Sequence, residues 1–205
     1  GSFPKIVCLS ESTSDTDMDK IILGHRLVID NGSQIASGTT VSSINKKKTK
    51  TTAIAIASGK TVIALNNVTD LVVGMSVTGT NLHAQSRVSS VLNSNIDAVD
   101  KTGGTTENDS GQNKIKLANV TNLAAGHKVV AAGVIPANTV IGSIAGTVVT
   151  LIDTDGAAAN LTAALTTGTS VSFSGATLDN ATTGAVAVSA SLVFGPIATL
   201  SANLS

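Results

Sequence analysis

Short apolar, β-branched stretches alternate with polar turns along nearly the whole chain. Their spacing predicts a strand over 3–9, an acidic loop over 10–20 and an apolar stretch over 21–30. That stretch ends at Asn31-Gly32, a pair suited to a type I′ turn because both positions need positive φ. Stretches 53–57 and 61–65 flank Ser58-Gly59-Lys60 and predict a hairpin. Further strands are expected over 115–117, 128–131, 139–144, 148–152 and 170–174, with one long strand over 185–194. Residues 157–165 alone read as helix, and Thr166-Thr167-Gly168-Thr169 then turns the chain. Helical periodicity is otherwise missing. The expected fold is all-β, a sandwich or small barrels with at most one short helix.

The pattern also recurs. Gly24-His25-Arg26-Leu27-Val28, Gly74-Met75-Ser76-Val77-Thr78 and Gly126-His127-Lys128-Val129-Val130 share one grammar, their glycines 50 and 52 residues apart. Each is followed by a second matched stretch, over 39–44, 86–91 and 139–144. Upstream, Ile63, Leu65, Val68 and Leu71 match Ile115, Leu117, Val120 and Leu123. A period near 50 residues reads as one supersecondary unit used in tandem. The implied organisation is an N-terminal arm with a divergent first repeat (1–57), a second repeat (58–110), a third (111–175) and a C-terminal strand or arm (176–205). Gly24, Gly74, Gly126 and Pro136 are its structural positions: the glycines suit a bulge or close backbone approach, and Pro136 presets a turn.

Composition changes the picture in two ways. Hydrophobic residues reach 42%, enough for a core, but there is no Trp or Tyr and only Phe3, Phe173 and Phe194. Cores built from Val, Ile, Leu and Ala bury less area per residue, and such units gain stability by stacking or oligomerising. The formal net charge is zero, which removes the electrostatic footprint of a nucleic-acid binder. Lys46, Lys47, Lys48 and Lys50 form a basic cluster with no aromatic interleaved, and read as a solvated strand end. No apolar run approaches the length that would span a bilayer, so no membrane insertion is expected.

Candidate chemistry is sparse. Asp15, Asp17 and Asp19 alternate like the first ligands of a calcium loop. Lys20 stands where that loop needs Gly, however, and Arg26 where it needs Glu, so the three are weak metal candidates. Asp153 and Asp155 before Gly156 read as a turn. Gly59-Lys60-Thr61 resembles the end of a phosphate-binding loop but lacks its upstream Gly, with Ile54 in that place. His25 and His127 fall at matched repeat positions and read as one structural part used twice. Three His and one Cys, widely spaced, make no zinc set, and no Gly-x-Ser-x-Gly elbow is present. No cofactor, metal or catalytic group is expected.

The stretches Val68-Thr69-Asp70-Leu71-Val72-Val73-Gly74-Met75-Ser76-Val77-Thr78-Gly79 and Val120-Thr121-Asn122-Leu123-Ala124-Ala125-Gly126-His127 carry a resemblance. So does Gly133-Val134-Ile135-Pro136-Ala137-Asn138-Thr139-Val140-Ile141-Gly142-Ser143-Ile144 with Gly146-Thr147-Val148-Val149-Thr150-Leu151. Together they resemble a repeat module of virion structural proteins of tailed bacteriophages, cyanophages especially, where it occurs in tail-fibre, neck, baseplate and decoration proteins. The likeness covers 61–152 well and 20–44 in part. The second copy departs from it, with Asn81-Leu82-His83-Ala84 in place of the Ile-Pro turn. The resemblance implies a non-enzymatic subunit on the particle exterior. Its partners would be copies of itself, as a homotrimer or larger, and other virion proteins. Joints are expected at strand edges and at terminal arms 1–9 and 185–205. The alternative is a carbohydrate-binding or adhesive surface module, which the absence of Trp and Tyr disfavours.

Overall fold

A computed structural model describes residues 6–8, 21–24, 39–101 and 103–201. These residues form thirteen strands and no helix: β1 (Ile6–Cys8), β2 (Val41–Asn45), β3 (Lys48–Thr51), β4 (Val62–Ile63), β5 (Val77–Thr78), β6 (Val88–Asp97), β7 (Lys114–Lys116), β8 (Lys128–Val130), β9 (Val140–Ala145), β10 (Val148–Ile152), β11 (Ser170–Leu178), β12 (Ser191–Phe194) and β13 (Ile197–Leu200). All pairings are antiparallel. Alternation drives this: in β11, Val171 and Phe173 are buried while Ser170 and Ser172 face solvent.

Two long strands organise the molecule. β6 and β11 pair along their whole length, from Ser170 opposite Asp97 to Leu178 opposite Val88. Around one half of this ribbon a ring of pairings closes: β6, β11, β8, β9, β10 and β7 follow in order. The bridge from Leu117 back to Ala98 at the end of β6 completes it. Around the other half, β11 pairs with β4, and the bridge from Leu65 to Thr52 leads into β3. From there β12, β5 and the Ser76–Arg87 bridge return to β6. The result is two small six-stranded barrels in line, sharing β6 and β11. We call the ring containing β3, β4, β5 and β12 the first and the other the second. A closed ring leaves few free backbone edges.

Each ring has its own interior. Leu65, Met75, Val77, Leu192 and Phe194 fill the first; Ile115, Leu117, Leu151, Val171 and Phe173 fill the second. A third set, Val41, Ala198 and Leu200, lies under the sheet ordered β1-β13-β2.

Four local expectations are corrected. Residues 157–165 form no helix, because their amide groups are drawn to other elements. Ala159 donates to Leu151 O, Leu161 to Gln112 O, Thr162 to Val134 O and Leu165 to Asn108 O. The long strand expected over 185–194 breaks at a turn where Ser189 has positive φ. Val186 bridges Ile56, and β12 begins only at Ser191. The C-terminal segment is also no free arm. β12 and β13 are the central strands of their three-stranded sheets, and Leu192, Phe194, Ile197 and Leu200 are fully buried. The hairpin expected over 53–65 is splayed: its stretches meet at Thr52 and Leu65, then Ile56 turns to Val186 and Val62 to β11.

Candidate functional site: the seam between the rings

The matched stretches of sequence make matched hydrogen bonds. Gly24, Gly74 and Gly126 all take positive φ, and their amides donate to Val41, Val88 and Ile141 O, each at 2.8 Å. The acceptors occupy the same position in the three downstream stretches. Val88 and Ile141 donate back to Met75 O and His127 O. One turn earlier, Asp70 and Asn122 share positive φ, and the side chains of Asn67 and Asn119 accept from the amides of Thr69 and Thr121. The Asn-x-Thr spacing therefore serves an Asx turn, which lets the short polar side chain mimic a backbone acceptor.

In the third copy this turn docks against the first ring. A Cβ on Gly126 would lie 3.3 Å from Val62 Cβ. The His127 ring lies over Gly175, where β11 passes from β8 to β4. A Cβ there would be 2.8 Å from His127 Cδ2 and 3.0 Å from Ile63 O. Gly175 is therefore a close-approach glycine in the middle of a strand. His127 is 2% exposed. Its Nδ1 accepts from the Ala124 amide at 3.1 Å, which puts the neutral ring's proton on Nε2, and Nε2 is buried with no partner. Burial lowers the imidazole pKa from 6.5 to about 4. At the matched position the second copy places Met75, fully buried in the first ring's own interior.

Beside the seam, the splayed hairpin opens a cleft of about 370 Å³. Ile54, Ile56, Val62 and Ile152 give it apolar walls, and Lys60 and Asp155 lie among its polar lining residues. Gly142 on its far wall lies under Ile152, whose Cγ2 would be 2.8 Å from an added Cβ.

The other candidate positions are structural or outside the described residues. Asp15, Asp17, Asp19 and His25 fall outside them. Pro136 sits in a turn, where its carbonyl accepts from Thr139 Oγ1 at 2.8 Å. Gly59-Lys60-Thr61 is a turn held by Thr182, not a phosphate loop. The Asp153 carboxylate accepts from the amides of Asp155 and Ala157, closing its own turn. Lys48 pairs with Asp70 at 3.2 Å on the surface. Among the described residues no three His, Cys, Asp or Glu gather to hold a metal, and no helix is long and apolar enough to cross a membrane.

The chain matches no family model, no curated protein and no solved structure. What the seam can do is therefore read from its own groups: it holds two rings together through backbone turns and one buried imidazole.

Gly126→Ala is expected to cost about 2 kcal/mol, combining the positive-φ penalty with the Val62 contact. Gly133→Ala, with positive φ but open space, should cost about 1 kcal/mol. Urea unfolding followed by far-UV circular dichroism compares the two. Equal costs would remove the Val62 contact from the argument.

Proposed function

We propose that the chain is a structural subunit on the exterior of a bacteriophage particle, a decoration, neck or fibre component without catalysis. It assembles with copies of itself, as a trimer or larger, and with other virion proteins. The observation that carries this reading is the thrice-used glycine turn, with the same hydrogen bond at Gly24, Gly74 and Gly126. It falls in the stretches that resemble the virion repeat, and a repeated turn supports tandem units stacked in line.

A second feature favours lateral contacts. Leu23 and Val73, each one residue before a turn glycine, are 60% and 48% exposed, and the matched Ala125 is exposed as well. Apolar residues presented at the same point of successive units suit a neighbouring subunit better than water. Because β12 and β13 are committed within the chain, these turns replace the C-terminal arm as the proposed joints. The carbohydrate-binding alternative has less support, since no aromatic side chain lines the cleft.

Light scattering across a concentration series tests the reading. A stable trimer of the 20.3 kDa chain, or a mass growing with concentration, is the expected result, and Val73→Asp should reduce it. A monomer at every concentration would count against self-assembly.

A further inference from the structure

The seam is held by a group that acid can charge. The segments packed on the His127 ring bring it no charge. Val62 and Ile63 come from β4, and Ser174, Gly175 and Ala176 from the middle of β11. Ala124 to Gly126 come from its own turn, and Ile141 of β9 is joined to it by a backbone hydrogen bond. The neighbouring Lys128 of β8 directs its ammonium to Asn66 Oδ1, 3.4 Å away. Among the described residues burial alone acts on the protonation of His127; Asp153 and Asp155 line the neighbouring cleft with Ala125 and Gly126, and the Asp153 carboxylate is taken up by the amides of its own turn. A proton can arrive only at Nδ1, where it displaces the Ala124 amide, and the resulting cation has a second donor, Nε2, already without a partner.

The geometry points to the Gly126–His127 turn as an acid-released latch. A proton on His127 detaches the turn from β4 and the middle of β11 and opens the seam beside the cleft, while each ring stays closed. The imidazole takes no part in closing either ring: the turn's backbone bonds to β9, Gly126 N to Ile141 O and Ile141 N to His127 O, belong to the β8–β9 link of the second ring and stay in place.

The direction of the effect follows from the lowered pKa. Above pH 6.5 the imidazole is neutral whether the seam is closed or open, and protonation does not bias the seam. As pH falls below 6.5 the open form takes a proton, while the closed form resists until about pH 4. The opening equilibrium should therefore rise about a hundredfold between pH 7 and pH 4.

Amide hydrogen exchange read by NMR at both pH values, corrected for intrinsic rates, tests this. Protection at Ala124, whose amide bonds to the imidazole itself, should fall about a hundredfold, while Gly126 and Ile141, whose amides bond within the second ring, keep theirs. Val149 and Val171, inside the second ring, should keep theirs. His127→Met, which places at the seam the residue used at Met75, should abolish the difference. Unchanged protection at Ala124, an equal loss throughout both rings, or an acid response that persists in His127→Met would each overturn the proposal. Should the variant not fold, the imidazole titration of the unaltered protein decides: a midpoint near the ordinary 6.5 overturns it.

Discussion

A chain ending at residue 190 is expected to lose its first ring and keep its second. β12 lies between β3 and β5, and β13 between β1 and β2, so the deletion removes the middle of both three-stranded sheets. Four large side chains go with it: Leu192, Phe194, Ile197 and Leu200, all at most 1% exposed. At about 1.5–3 kcal/mol each, their burial is worth roughly 6–12 kcal/mol, as much as the whole stability of a typical domain. The second ring draws its strands from β6 to β11 and loses none. Limited proteolysis with mass spectrometry should leave a resistant fragment spanning β6 to β11, with cleavage upstream of it. A truncated chain that resists protease throughout, yet no longer assembles, would restore the C-terminal segment to the role of an intersubunit arm.

Phe173→Ala is expected to cost about 4 kcal/mol, near the top of the range for a single core truncation. Phe173 is fully buried in the middle of β11, opposite Val129 on one side and Ser94 on the other. The chain has no Trp or Tyr, and the other described Phe, Phe194, belongs to the first ring. Val, Ile, Leu and Ala neighbours are too short to reach into the space left behind, so the cavity persists. Phe173→Leu, which keeps most of the volume, should cost about 1.5 kcal/mol. Urea midpoints by circular dichroism give both values, since without Trp or Tyr the chain offers little fluorescence. A loss below 1 kcal/mol for the Ala variant would mean that the ring collapses around the gap, and that its packing is looser than described.

Much of the strand content was legible because it rests on local alternation. The strands over 115–117, 128–131, 139–144, 148–152 and 170–174 were readable from β-branched runs between turn residues, and the structure has β7 to β11 there. Residues 157–165 misled because Ala and Leu favour helix in isolation. Here the amides of Ala159, Leu161 and Leu165 find acceptors at Leu151 of β10 and at Gln112 and Asn108 in the turns before β7, and tertiary hydrogen bonds override the propensity. The Ala and Val alternation over 185–194 gave no sign that Ser189 adopts a left-handed turn. Ring closure was out of reach, because the partners of β3 and β12 lie some 140 residues apart and leave no periodic trace.

The seam was half legible. The matched glycines announced a special backbone, and the structure gives them positive φ with a common acceptor position. His127 was readable as a structural group, but its pairing with Gly175 was not. The one available signal was a glycine inside the strand stretch Ser170–Leu178, which marks close approach without saying of what. The cleft depends on where the hairpin splays, and that is decided by Val186 and β11 rather than by the hairpin's own residues.

The pairing of β1 with β13 has a mechanical consequence. Ile6 lies opposite Thr199, so the two ends of the described ribbon leave the molecule side by side. Tension applied to both would load these pairs one after another, as in opening a zipper, and not all together as in shear. Yielding begins there at low force, before load passes along β13 to β12. A molecule gripped at Ile6 and Leu200 would thus give first at the β1–β13 pairs, before load reaches β12 and its barrel.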